Sequence, residues 1–464
     1  MEIHDRTVDL DPQLIRRFDV PGPRYTSYPT ADRFVEAFDA ASHADSLAKR
    51  NIGGIVRPLS LYVHLPFCAS ICYYCACNKV ITKDHGRSNK YVHYLERELD
   101  LQIAHLQGSR RIKQMHWGGG TPTFLADDEL RDLMRMLRRH FDFDPGGEYA
   151  IEVDPRAVDP ITIRLLAELG FNRMSIGVQD FDPAVQRAVN RIQPAAMTGE
   201  VLAAARAAGF RSINFDLIYG LPKQTVASFD RTLDQVVASA PERIALYSYA
   251  HLPGRFKPQR RISDADLPDA DTRLDIFRLA LARLLDAGYI YIGLDHFALP
   301  DDELALALKT GRLHRNFQGY TTQSECDLLG IGVSAISKVG AAYSQNVSLL
   351  DEYYDAIDQR RIPVARGIEL TQDDLARRAV IMGLMCQGEV SMESIAIAHL
   401  IDFETYFENE LRELDVFVQA GLVEIVDSAI SVRPRGRFFL CAICMVFDRY
   451  LQADLTRRRY SRIM

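Results

Sequence analysis

Four of the eight cysteines fall between positions 68 and 77: Cys68, Cys72, Cys75 and Cys77, directly after the apolar run LYVHLPF (61–67). Thiolates are soft ligands, so Cys-x3-Cys-x2-Cys in one loop reads as a metal or redox site. Tetrahedral zinc favours two separated CxxC-like pairs, and no second pair accompanies the first. Four thiols in one loop are also a poor way to pack a core. The spacing therefore favours an iron–sulfur cluster. A 4Fe–4S cluster normally takes four thiolates. If only Cys68, Cys72 and Cys75 ligate, one iron stays open to a molecule carrying an amine and a carboxylate. Cys77 is left as a near neighbour. Cys441 and Cys444 form a CxxC inside the apolar run FFLCAICMVF and read as core packing.

Further chemistry lies at the ends of later apolar runs. HWGGGTPT (116–123) places Gly118, Gly119 and Gly120 where a ligand could approach the backbone without meeting a Cβ. Glu152, in IEVDP, is a carboxylate able to accept from ribose hydroxyls, while Asp154 reads as a cap for the next helix. Gln179, Arg191 and Asp216 stand at or after the ends of further runs.

The elements that must position these residues alternate. LYVHLPF (61–67), QMHWGG (114–119), EYAIEVD (148–154), RMSIGVQ (173–179), SINFDLIYG (212–220) and RIALYSY (243–249) predict strands. Between them lie helical patterns with 3–4 apolar spacing. ELGF (168–171), AAGF (207–210) and DAGY (286–289) repeat one device, a glycine-stopped helix turning into a strand. Six such units in series predict parallel strands with right-handed crossovers, in a complete or partial barrel or a doubly wound sheet. The first 55 residues read as an extended lead-in, PGPRYTSYPT (21–30), followed by a helix near 42–50. Past about 360, helices are predicted over 372–388, 391–399 and 402–420, then a short β pair in VEIVDSAISVRPRG and a last helix through FFLCAICMVFDRYL.

Composition sets the limits. The chain has 464 residues, 47% hydrophobic and 25% charged, which excludes a disordered or fibrous protein. A net charge of −7 does not favour nucleic acid or an anionic membrane. No run approaches ~18 uninterrupted apolar residues, so no membrane span is expected. The first residues carry no basic and apolar leader pattern, and a cytoplasmic location is expected.

CxxxCxxC on the loop after the first barrel strand resembles the radical S-adenosylmethionine (SAM) superfamily. Within it, PRYTSYPT, YVHLPFC, CYYCACNK, HWGGGTPT, IEVDPR, GVQDF, NFDLIYGLPKQT, YAHLP, DHFA, HRNFQGYTT, LLGIGVSAIS and FDRYL are similar to the oxygen-independent coproporphyrinogen III oxidase family. The resemblance covers nearly the whole chain. It implies an α/β fold: a partial (β/α)6 TIM-like barrel over 56–355, an N-terminal lead-in (1–55) covering its mouth, and a mainly helical C-terminal domain (360–464). It implies an oxidoreductase of haem and porphyrin biosynthesis, which turns two propionates of coproporphyrinogen III into the vinyl groups of protoporphyrinogen IX. The implied cofactors are a 4Fe–4S cluster on Cys68, Cys72 and Cys75, and two SAM molecules per chain. Tyr62, Gly119, Glu152 and Ile336 are implied for the first SAM. Tyr74, Gly120, Thr121, Gln179, Arg191, Asp216 and Ala250 are implied for the second, with Tyr74 standing where the family often has Phe. Arg191 would face the methionine carboxylate. Arg24 is a candidate for the tetra-anionic substrate. An electron donor such as flavodoxin or ferredoxin, an unidentified electron acceptor, and a monomer complete the expectation. The alternatives are a haem-binding chaperone on the same scaffold, and a radical SAM methyltransferase or haem-degrading relative.

Overall fold

The apolar runs form strands because β-branched and aromatic side chains suit a pleated, buried surface. In the computed structural model, which describes residues 12–452 apart from 52, 53 and 55, six of them appear where predicted. They are β1 (Leu59–Leu65), β2 (Arg111–Gly119), β3 (Asp142–Val153), β4 (Arg173–Gln179), β5 (Ser212–Tyr219) and β6 (Arg243–Ser248). Helices α1 (Gly86–Ile103), α2 (Asp127–His140), α3 (Pro160–Glu168), α4 (Ala195–Ala207) and α5 (Val226–Ser239) alternate with them. All five neighbouring pairs from β1 to β6 are parallel. Asp159 caps α3 by accepting from the N–H of Ile161 and Thr162, with Pro160 at the first helical position. Gly170 and Gly209 then turn helix into strand at φ 99° and 87°, which a side chain would resist.

A seventh strand, β7 (Asp327–Ile331), adds in parallel to the free edge of β1. β8 (Ile336–Val339), β9 (Ala342–Asn346) and β10 (Val364–Glu369) continue from it as an antiparallel meander. The sequence patterns predict no strands here. Gly330 and Gly332 interrupt the apolar run, but a Cβ at Gly330 would sit 2.6 Å from the Ile336 carbonyl oxygen, so the glycine is what lets β7 and β8 approach. In this unit the strand order is β10-β9-β8-β7-β1-β2-β3-β4-β5-β6.

The compact unit holding these strands spans residues 34–283 and 325–369. Its strands are two-faced. Leu61, Val63, Trp117, Ile151, Ile176, Phe215 and Leu217 are fully buried. The alternate positions Tyr62, His116, Glu152, Ser175, Asn214 and Asp216 are polar or amphipathic and half-buried. Period-2 alternation thus gives an apolar face and a polar face, and the polar face carries the chemistry.

A second compact unit combines the residues up to 33 with 284–324 and the chain from 370 onward. It contains the hairpin His314–Asn316/Gly319–Thr321, the helices Gln372–Gln387 and Met392–His399, and a small sheet of Glu389–Ser391, Ala429–Val432 and Val423–Val426. Two expected helices are broken. The stretch 402–420 is interrupted at Phe407, which leaves helical geometry and buries its ring against Phe403 and Phe447. The final run becomes a 3-10 turn (Pro434–Phe439), a helix (Leu440–Met445) and a separate turn (Arg449–Gln452). Asp448 makes that last break by accepting from the N–H of Tyr450 and Leu451, a competing local cap.

Candidate active site

The cysteine loop is pinned at its base. After β1 the chain pairs Phe67–Cys68 in parallel with Val80–Ile81. The Val80 N–H donates to the Pro66 carbonyl at 2.7 Å and the Thr82 N–H to the Cys68 carbonyl at 3.0 Å. All four loop cysteines are free thiols; Cys72 is buried, Cys68 and Cys75 half-buried, and Cys77 exposed. Burial pushes the Cys68 thiol up to about 11. A hydrogen bond from Cys77 brings Cys75 down to about 6, against its burial and with help from Lys79. Among the described residues no three Cys, His, Asp or Glu side chains gather around one ion position. A single tetrahedral metal would need sulfurs ~4 Å apart, given bonds of ~2.3 Å. Cys68, Cys72 and Cys75 line one cavity, and soft thiolates are the donors that an iron–sulfur cluster takes.

The glycine run at the end of β2 lies directly on that base. The Gly120 N–H donates to the Leu65 carbonyl at 2.9 Å and the Thr121 N–H to the Phe67 carbonyl at 2.8 Å. A Cβ at Gly120 would stand 2.7 Å from Phe67 O and Pro66 O, so this approach requires glycine. Thr121 Oγ1 then lies 3.5 Å from Cys68 Sγ. Gly119, at φ 117°, donates its N–H to Glu152 Oε2 at 3.2 Å.

Strand register assembles the polar face. Tyr62 is aligned with His116, Glu152 with Ser175, and Gly177 with Asp216. The Tyr62 and His116 rings stack at 5.9 Å, and His116 Nε2 lies 3.0 Å from Glu152 Oε1. Ser175 Oγ and Asn214 Nδ2 each donate to Asp216 at 2.8 Å. Burial nevertheless pushes the Asp216 carboxyl up to about 6, those two hydrogen bonds working against it. Gln179 ends β4 at φ 67°, a strained conformation for a residue with a side chain.

A charge cluster faces the buried cysteine. Asp154 caps the turn Pro155–Ala157, as its position predicts, and also accepts from Arg156 Nη2 at 2.7 Å and Arg191 Nη1 at 3.0 Å. Both guanidiniums also reach Cys72 Sγ, at 3.5 and 3.7 Å. Arg191 Nη2 donates to the Gly177 carbonyl at 2.7 Å, while its Nε is buried without a partner. Burial would raise the Asp154 carboxyl, but the two arginines outweigh it and hold the group below its usual range.

These elements enclose a cleft of about 450 Å³. Cys68, Cys72, Tyr74, Cys75, Gly119, Gly120, Thr121, Glu152, Gln179, Arg191 and Asp216 all line it. Tyr62 and Ile336 do not: Tyr62 gives its hydroxyl contact to His64 Nδ1 at 3.1 Å, and Ile336 opens β8 opposite Gln345. Nor does Ala250, whose carbonyl accepts from Gln259 Nε2 at 3.1 Å. Arg24 belongs to the second unit, where it pairs with Asp295. Sequence reasoning missed Arg156 and the Ser175–Asn214 support of Asp216. Their signal was present as polar residues at alternate positions of apolar strands and an Arg beside a strand-end Asp.

The chain is similar to known proteins over nearly its whole length. Residues 62–236 match the model of the Radical SAM superfamily, and residues 370–439 match the HemN C-terminal domain. The chain is 51% identical over 460 residues to the oxygen-independent coproporphyrinogen III oxidase of Pseudomonas aeruginosa, covering 99% of each. It is 45% identical over 457 residues to the enzyme of that name from Escherichia coli, covering 98% of this chain and 99% of the relative. The solved structure of Escherichia coli coproporphyrinogen III oxidase (HemN), described as a radical SAM enzyme, superposes with a TM-score of 0.91, covering 96% of this chain and 99% of that one. The haem-binding chaperone alternative gains no support from these relatives. No helix among the described residues is long and apolar enough to cross a membrane.

Proposed function

This chain belongs to the radical SAM superfamily and, within it, to the oxygen-independent coproporphyrinogen III oxidases, and on that premise we propose that the cleft above Cys72 is where coproporphyrinogen III is oxidatively decarboxylated. Two propionate side chains each lose a hydrogen atom to the radical, a further electron to a separate electron acceptor, and CO₂, leaving the two vinyl groups of protoporphyrinogen IX. When bound, the 4Fe–4S cluster supplies an electron and SAM supplies a radical able to take a hydrogen atom from a propionate carbon. Everything else is the work of the chain: holding, orienting and excluding water.

Cys68, Cys72 and Cys75 hold the cluster in this reading. Arg156 and Arg191 offset thiolate charge at Cys72. Gly119, Gly120 and Thr121 offer a backbone ledge free of Cβ atoms, and Glu152 and Asp216 present carboxylates to hydroxyl or amine groups. The unpartnered Nε of Arg191 is a donor available to a methionine carboxylate. Two SAM molecules per chain divide these contacts, Gly119 and Glu152 serving the first, and Tyr74, Gly120, Thr121, Gln179, Arg191 and Asp216 the second. Arg24, which pairs with Asp295 through Nη1, is the candidate for a substrate propionate. An electron donor of the flavodoxin or ferredoxin kind, a cytoplasmic location and a monomeric state belong to the same proposal.

The observation that carries this reading is the convergence of three thiols, a glycine strand end and a carboxylate–arginine set in one cleft. The test is anaerobic incubation of reconstituted protein with SAM, a reductant and coproporphyrinogen III. Vinyl product is expected from the wild type. Cys72→Ala should lose both the brown iron chromophore and SAM cleavage, and retention of either refutes the ligand assignment.

A further inference from the structure

Arg315 stands in the hairpin of the second unit, directly opposite Tyr320, and is only 7% exposed. Its guanidinium carbon lies 4.8 Å from the centre of the Tyr320 ring. Its Nε and Nη1 are buried without a hydrogen-bond partner. Arg437, 4% exposed, acts electrostatically on the same tyrosine; its Nη2 donates to the Ile292 carbonyl at 2.8 Å, and its Nε is buried without a partner. At the hairpin turn both amide atoms of Gln318 are likewise buried and unpartnered. The Tyr320 hydroxyl is committed to the Met385 carbonyl at 3.2 Å.

Other arginines of this unit are neutralised. Arg377 meets Asp373 and Glu410, Arg449 meets Asp373, and Arg24 meets Asp295. Among the described residues, neither Arg315 nor Arg437 forms an ion pair. A buried guanidinium without a counter-ion is costly to the fold, and a fold keeps such a group when binding repays the cost. The guanidinium fork matches a carboxylate in shape and number of donors. We propose that Arg315, with the Gln318 amide of its own turn and Arg437 by the same tyrosine, forms a carboxylate subsite that holds a propionate of the porphyrinogen substrate. The identity of that carboxylate rests on the function proposed above; the anion site itself rests on the buried, unpaired donors.

The test uses the full-length, reconstituted enzyme and its Arg315→Met and Arg315→Lys variants. Removing the guanidinium should raise the KM for coproporphyrinogen III about 10- to 100-fold, as loss of a charged hydrogen-bond pair does. The lysine variant should recover part of it. Air-stable coproporphyrin III should bind the wild type more tightly than Arg315→Met, while its neutral tetramethyl ester should bind both alike. The thermal midpoint of Arg315→Met should rise at unchanged iron content, because an uncompensated buried charge has gone. A purely structural arginine would lower it. Equal binding of coproporphyrin III to both proteins overturns the subsite even where turnover is normal, and so does a KM change accompanied by a lower midpoint. Absence of vinyl product from the wild type refutes the substrate reading, and the porphyrin binding comparison still decides the anion site.

Discussion

Replacing Gly120 with alanine isolates the contact on which the cysteine loop rests. An alanine Cβ would sit 2.7 Å from the Phe67 and Pro66 carbonyl oxygens, where ordinary contact begins at 3.4 Å. The obstacle is backbone, so no side chain can swing aside. About 0.7 Å of separation must be found, and the hydrogen bonds from Gly120 N–H (2.9 Å) and Thr121 N–H (2.8 Å) lie along the same interface. Losing both costs roughly 1–3 kcal/mol, and overpacking adds roughly 1–3 kcal/mol. A destabilisation of about 2–6 kcal/mol is expected, with the Cys68 end of the loop displaced. Gly146→Ala is the matched control, since its Cβ meets only Asp144 Oδ1, at 3.6 Å. That change should stay within about 0.5 kcal/mol. The assay is urea unfolding followed by circular dichroism, with iron bound per chain after anaerobic reconstitution. Gly120→Ala should unfold at lower urea and take up less iron. If both values equal those of Gly146→Ala, the close approach does not position the loop and the reasoning is wrong.

Two further outcomes follow from buried charge. His43 is buried between Gln102 Oε1 and Ser344 Oγ, and burial brings its ring down to about 4 from an unfolded 6.5. A base held neutral in the fold stabilises above pH 6.5, and that stability is lost as pH falls toward 4, because the unfolded chain takes the proton first. At about 1.4 kcal/mol per pH unit, the stability advantage of wild type over His43→Gln should shrink by about 3 kcal/mol between pH 7 and pH 4; a constant gap in urea unfolding would refute it. Arg191→Lys loses the planar fork that joins Asp154 and Gly177, so the KM for SAM should rise about tenfold or more, and an unchanged KM would remove Arg191 from the cofactor contacts.

How far the site could be read without coordinates depended on whether its parts are local in sequence. The cysteine spacing, the glycine run and the glycine-stopped helices are local, and each declares itself within a few residues. The six parallel strands follow from them, because consecutive strand–helix units leave few topologies. The pairing of His116 with Glu152 depends on register between β2 and β3, and the sharing of Asp154 by Arg156 and Arg191 on where the loop after β4 returns. Neither is encoded in spacing. The meander β7–β10 was hidden because the glycines that permit its pairing also break its apolar pattern. Arg315 was invisible for a different reason: in an Arg-rich chain a single arginine carries no signal until its surroundings show that nothing neutralises it.

Register also explains why the glycine run belongs at the end of β2 and nowhere else. A slip of one residue between β1 and β2 would turn the Tyr62–His116 stack toward the apolar face and bring Trp117 into the polar one. The alternation of the strands opposes that slip through burial. The Gly120–Leu65 and Thr121–Phe67 hydrogen bonds oppose it at the strand ends, where burial is weakest. The same two bonds fix the thiol loop to the polar face, so the position of Cys68 and the register of the catalytic strands are one variable. Charge follows the same logic. A net −7 describes the surface, whereas at Cys72 two guanidiniums share a single carboxylate, leaving a local positive excess at the thiol.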